Sequence, residues 1–411
     1  MSDAKTDPRA EKLVAEAHAH DGLAPVDLDR FWADQEVALA DPFGADIPQC
    51  PLGVLMSDEC VYDELGIEED FWRYENDQEW AFSLNKVYND KAEKIVGWRP
   101  LHEKLMFPEL RYPWPGGLHD VFEGKNVWHA GSWWLEQVAH NEDELKALLD
   151  RVEGRLTTTG AVRDLILPDG WAEAKEKLMA EGIRPPLYRG QRGPCTFATS
   201  IYGPENLIFL CHDNPDLAAR FSRAILNSML AIARVLDEEA GYRTPGVDYG
   251  GDEEMMAREE APHGFGWADD NSQLLTPAMY ELFGAPVLKG IWDRYSPDPG
   301  DYRQQHSDSS MEHIVPILGR LGITSTNFGP TVMVDYIRKH CPKAVIYGEL
   351  APFTFSRNDE VGIVNEFLRD FGMAKEKRGL VFATAGSINN GSRITGMRLI
   401  MAAIQRYGRY E

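Results

Sequence analysis

The chain has 411 residues, 43% of them hydrophobic, and sets 42 basic against 66 acidic side chains for a formal net charge of -24. A chain this acidic repels nucleic acid and anionic lipid, so neither is expected as its main partner, and a highly anionic substrate would need a local basic pocket. The length suits one barrel-sized domain with an extension or two ordinary domains. The polar stretch Met1 to Arg9 has no apolar core of a signal peptide, and no apolar run nears the roughly 18 residues that span a bilayer, so a cytoplasmic protein is expected. The five cysteines, Cys50, Cys60, Cys195, Cys211 and Cys341, show no Cys-x-x-Cys spacing. They are expected as buried thiols rather than as a disulfide framework or a four-cysteine zinc site.

In chain order, residues 1–115 are rich in Trp, Asp and Glu and poor in strand-like runs, with helices expected around Pro8 to His18 and Asp77 to Val96. They read as a mainly helical extension that covers the main domain, residues 116–411, or a neighbouring copy in a homodimer. The run Tyr-Pro-Trp-Pro-Gly-Gly at 112–117 forbids helix and marks the boundary. Trp128, Trp133 and Trp134 follow, either as a packed contact between extension and main domain, the more ordinary reading, or as the wall of an apolar substrate pocket. Asn141 and Glu144 form a capping box ahead of a helix with Leu145, Leu148, Leu149 and Val152 on one face and Gly154 at its end.

Pro186 to Arg192 reads as a strand that empties into Gly193-Pro194. Asn214 and Pro215 then start a long helix with the stripe Leu217, Phe221, Ile225, Met229, Ile232 and Leu236, stopped by Gly241. Val247 to Gly251 and Phe265 to Asp270 are short strand-like runs around an acidic insertion. A further run closes on His306-Ser307-Asp308-Ser309-Ser310, with a helical face of Met311, Ile314, Val315, Leu318 and Leu321 behind it. Ile323 to Phe328 leads through Gly329 and Pro330 into a helix ending near Cys341, and Lys343 to Glu349 reads as a buried strand that ends in a carboxylate. Gly379 to Ala385 is the last strand, Gly386 to Ser392 a loop, and Met397 to Ile404 a closing helix capped at Gly408. Alternation of strand and helix to the end of the chain predicts an α/β fold, specifically a closed (β/α)8 barrel. No Gly-x-Gly-x-x-Gly fingerprint supports a doubly wound nucleotide-binding sheet.

Parallel strands collect functional side chains at their C-terminal ends. That rule would bring Asp269, Asp270, His306, Asp308, Asn327, Glu349 and the loop Ser387 to Asn390 to one mouth. Two carboxylates and an imidazole can hold a divalent metal or share protons. For His306 and Asp308 the competing reading is a helix start, with Ser309 and Glu312 as a capping box, and for Asp269-Asp270 it is a solvated turn before Thr276-Pro277. Glu349 is harder to dismiss, since a carboxylate ending an apolar strand is costly without a partner. Arg189 and Arg192 can hold a substrate carboxylate or pair with the acidic surroundings, and the loop containing Asn389 can offer backbone N–H groups to an anion.

Several pieces carry a resemblance: Gly-Pro-Cys-Thr-Phe-Ala (193–198), Asp269-Asp270 with Leu-Thr-Pro-Ala-Met-Tyr (275–280), His306-Ser-Asp, Gly348-Glu349-Leu350, Gly386-Ser-Ile and Tyr407-Gly408-Arg409-Tyr410. In this order and spacing the region from Gly193 to Tyr410 resembles the uroporphyrinogen decarboxylase superfamily, which includes cobalamin-dependent methyltransferases and has the (β/α)8 barrel. The thiol-methylating branch binds zinc through His-x-Cys and a later Cys. Asp308 and the region Ala385 to Ser387 stand at those positions, so the thiolate set is missing. The decarboxylating branch uses N-terminal arginines that have no counterpart in residues 1–115. The resemblance therefore implies a methyltransferase component that takes a methyl group from a small O-, N- or S-methylated substrate and passes it to a corrinoid on a separate protein. It implies Asp269, Asp270, His306 and Glu349 as catalytic, and Arg189, Arg192, Asn327 and Asn389 as substrate-binding. His306, Asp308 and Glu349 would hold zinc or another divalent metal. A decarboxylase and a barrel that only binds a ligand are the alternatives.

Overall fold

A computed structural model of the chain describes residues 6–104, 114–129, 132–185, 187, 189–386, 388 and 390–410. Helices lead at Pro8–His18, Leu28–Ala40 and Gln78–Val96. An antiparallel hairpin follows, β1 (Asn126–His129) with β2 (Ser132–Leu135). After the helices Glu142–Arg155, Pro194–Tyr202 and Pro215–Glu239 come five strands: β3 (Phe265–Ala268), β4 (Arg303–Ser307), β5 (Ser325–Phe328), β6 (Val345–Tyr347) and β7 (Leu380–Val381). The pairs β3 with β4, β5 with β6, and β6 with β7 are all parallel, and a helix follows each of these strands before the next begins.

The local rules account for the helices. Asp7 accepts from the Arg9 N–H, Pro8 needs no donor in the first turn, and Ala10, Leu13, Val14 and Ala17 are buried at helical spacing. Asn214 accepts from the Leu217 N–H to start Pro215–Glu239, and Gly241, at φ 82°, ends it. Gly154, in contrast, lies inside its helix, which runs on to Arg155. The strands depart further from expectation. The described residues of Pro186 to Arg192 form no strand, and only Gly193 reaches β3, through one bond of 2.8 Å to the Ala268 carbonyl. Val247 to Gly251 forms none either, because Gly246, Gly250 and Gly251 take left-handed φ angles of 63°, 61° and 88° that break an extended run. The described residues thus carry five parallel strands where a closed barrel has eight.

The chain divides into two compact units. The first comprises Met1–Leu105, Ser307–Glu312 and Ser325–Glu411. The first 105 residues are therefore not a separate extension. Their segment Gln49–Gly53 lies along β7 and the chain after it: Cys50 N–H donates to the Gly408 carbonyl at 2.7 Å and Gly53 N–H to the Phe382 carbonyl at 2.7 Å. Gln35 holds Leu52 at both its N–H and its carbonyl. Phe367 and Phe382 pack edge to face at 5.1 Å in this unit's core. The second unit comprises Met106–His306 and His313–Thr324, and its core centres on Phe122, Phe197, Phe221 and Phe283, whose rings meet at 5.1 to 6.0 Å. No helix among the described residues is long and apolar enough to cross a membrane.

Candidate functional site

In the second unit the register of β3 and β4 sets Ala268 opposite His306, and the next residue, Asp269, donates its N–H to the His306 carbonyl at 3.0 Å. The strand then gives way to a 3-10 turn, Asp270–Leu274. Asp269 is not in a solvated turn. Its side chain is fully buried, Oδ1 accepts the Thr196 N–H at 2.8 Å, and the equally buried Oδ2 has no hydrogen-bond partner among the described residues. Burial pushes this carboxyl up to about 6, opposed by donors on Thr196 and Cys195 and assisted by the neighbouring charge of Asp270.

The helix Pro194–Tyr202 holds the arrangement. Thr196 Oγ1 accepts the Asn271 N–H at 3.0 Å, and Asn271 Nδ2 donates to Thr199 Oγ1 at 2.6 Å. Gly193 is required in front of it, because a Cβ there would lie 2.4 Å from the Cβ of Asp269. One carboxylate oxygen of Asp270 and one ring nitrogen of His306 lie within 4.8 Å of each other, so unit two brings together three of the expected residues. The competing helix-start reading does not hold, since the helix behind β4 begins at Val315 and has no side-chain cap from Ser309.

The first unit holds the others. Asp308 rests against two glycines: a Cβ at Gly386 would lie 2.2 Å from its Oδ1, and one at Gly329 would lie 2.6 Å from its carbonyl oxygen. Asn327 commits its Nδ2 to the carbonyls of Tyr347 and Thr384, at 2.6 and 3.0 Å. Glu349 is fully buried, and neither carboxyl oxygen has a hydrogen-bond partner among the described residues. Burial, with the carboxyl of Asp370 beside it, pushes Glu349 well above the usual carboxylate range, and Arg369 offsets this only in part. No group of three or more metal-ligating side chains among the described residues includes Glu349. Asn389 lies outside the described residues.

The two arginines part ways. Arg189 is buried in an ion pair with Asp237 at 3.0 Å, donates to the Pro262 carbonyl and stacks on the Tyr295 ring. Arg192 instead lines an open cavity whose wall includes His119 and Gln191, which the sequence reading did not choose as substrate contacts, and Trp133, which it gave as the wall of an apolar pocket only as the alternative to a packed contact. Thr196 was missed as well, and its signal was present: it follows Gly193-Pro194, where a helix N-terminus offers free N–H groups.

No protein-family model matches the chain, and no curated protein matches it. Among solved structures it is similar to a methyltransferase from Methanosarcina mazei, with a TM-score of 0.51 and 14% identity, over 90% of this chain and 96% of that one. At that identity the likeness is one of fold.

Proposed function

We propose that the chain is a methyltransferase that takes a methyl group from a small O-, N- or S-methylated substrate and passes it to a corrinoid carried by a separate protein. The observation that carries this reading is Asp269, Asp270 and His306 at the C-terminal ends of two paired parallel strands, with Asp269 buried and its carboxyl raised to about 6. Two further supports are the fold likeness to a methyltransferase and the motifs whose order and spacing resemble those of the uroporphyrinogen decarboxylase superfamily. With that superfamily we read the parallel strands as part of a (β/α)8 barrel.

In the transfer, the bond from the methyl carbon to its oxygen, nitrogen or sulfur breaks. The leaving atom keeps that electron pair and takes one proton, while the acceptor supplies the pair for the new bond to carbon. The proton is this chain's contribution. A carboxyl raised to about 6 is protonated in a useful fraction near neutrality, and an imidazole such as His306 suits a general acid. The residues fit a divalent metal of the harder kind: Asp270 and His306 offer oxygen and nitrogen, while all five cysteines are buried and Cys195 is pushed up by burial. When bound, such an ion, zinc for example, would polarise the atom that leaves the methyl group.

The test is transfer from a panel of methoxylated aromatics, methylated sugars and methylamines to reduced corrinoid, followed by the corrinoid's absorbance. No transfer across the panel overturns the reading. Elemental analysis separates the roles. About one ion per chain is expected in the wild type, with loss in Asp270→Ala and His306→Ala. Asp308→Ala tests the acid two residues along, and Glu349→Gln is expected to keep the ion. Activity that survives exhaustive chelation leaves His306 as a general acid without a metal.

A further inference from the structure

The second unit contains an open cavity of about 460 Å³, a size typical of small-molecule sites. Its apolar wall includes Phe197, buried to 1% exposure, Leu118, buried to 2%, and the half-exposed Trp133, whose ring is held edge to face against Trp128 at 5.2 Å. The polar side of the wall, which also includes Asn126, offers donors. Arg192 is exposed and bonds only Ser200 Oγ, at 3.3 Å, among the described residues, with no carboxylate in ion-pair range. Gln191 uses Oε1 to accept the Leu118 N–H at 2.9 Å, which leaves its NH2 group to donate. His119 also lines the cavity and lies 3.2 Å from Asp120, an acid that is not part of the wall. In a chain with 66 acidic residues, no carboxylate among the described residues lines this cavity. One wall residue, Phe197, directly follows Thr196, whose N–H holds Asp269.

We propose that this cavity receives an aromatic carboxylic acid, with the carboxylate on Arg192 and Gln191 and the ring between Trp133 and Phe197, and that such acids bearing a methyl ether are the substrate class. The assignment rests on the methyl-transfer reading above. A guanidinium and an amide NH2 match the two oxygens of a carboxylate, and flat aromatic walls match a ring.

The test is calorimetric titration of the full chain with 4-methoxybenzoate and with its neutral counterpart, 4-methoxybenzyl alcohol. The acid is expected to bind at least about tenfold more tightly than the alcohol, and Arg192→Gln to erase that preference while Arg192→Lys keeps part of it. Arg192 is exposed, so circular dichroism of both variants is expected to match the wild type. Equal binding of acid and alcohol, no binding of either, or an unchanged preference in Arg192→Gln overturns the cavity assignment. The activity arm separates this inference from the one beneath it. Binding of 4-methoxybenzoate without its demethylation, while another donor of the panel is demethylated, overturns the substrate class and leaves the methyltransferase standing. Transfer from no donor, with acid-selective binding intact, overturns the methyltransferase and the substrate class and leaves an aromatic-acid site.

Discussion

Asp269 is the residue whose burial has the clearest measurable outcome. Its carboxyl is raised from 3.8 to about 6, so between those values the folded chain holds more of the proton than the unfolded chain does. Stability therefore falls as pH rises through this window and is level above it, a loss of order ~3 kcal/mol from this group. Asp269→Asn keeps the acceptor for the Thr196 N–H and removes the titration. Thermal unfolding from pH 4 to 7 is expected to show the wild type losing stability relative to Asp269→Asn, and the variant to transfer methyl groups poorly. A constant gap between the two across that range would contradict the raised carboxyl. Asp237, also raised to about 6, is common to both proteins and cancels in the difference. At this scale the placement of Asp269, Asp270 and His306 at strand ends was legible, because a strand end followed by short polar side chains is a local pattern. Glu349 has the same local pattern. Its surroundings, Asp370 and Arg369 on the helix Glu360–Ala374, come from twenty residues further along and leave no mark in the strand itself.

At the scale of elements, helices were more legible than strands, and the reason is physical. A cap, a first-turn proline, a buried stripe and a terminal glycine are all set by neighbours within a few residues, so Pro8–His18 was read to the residue, and Gln78–Val96 and Pro215–Glu239 closely. A strand exists only where a partner pairs with it. Pro186 to Arg192 has the composition of a strand, yet its arginine is drawn into the ion pair with Asp237, and only Gly193 bonds to β3. The capping argument has a direct check. Asn214 accepts the Leu217 N–H and also donates to Glu142 at 2.8 Å, tying the Pro215–Glu239 helix to the start of Glu142–Arg155. Asn214→Ala is expected to cost about 1 kcal/mol or somewhat more in denaturant unfolding. A loss under a few tenths would mean that the cap contributes nothing.

For the whole molecule, the boundary expected near residue 115 lies close to the division at 105 and 106, but the pieces join differently. The helix Pro8–His18 packs on Glu360–Ala374 and Ile394–Tyr407, and Gln78–Val96 packs on Ile394–Tyr407 as well. Removing residues 1–115 would strip Phe31, Cys50, Leu52 and Tyr88, all within 5% of full burial, from a core whose other half remains. The truncated chain is expected to be insoluble. A soluble monomer by size-exclusion chromatography would show that this contact is dispensable. Sequence patterns miss such an arrangement because periodicity shows which face is apolar and not which distant segment covers it.

The placement of Gln49–Gly53 along the chain after β7 also fixes an order of events during synthesis. Residues 6–104 leave the ribosome more than two hundred residues ahead of the segment that supplies their partners, and at about 5–20 residues per second that is a wait of ten seconds or more. Over that interval the second unit has all of Met106–His306 in hand and can collapse, while the apolar faces of the first wait for Leu380 to Ile404. A nascent chain held at residue 330 would display the early helices without their cover, as a natural client for a chaperone that binds exposed apolar surface.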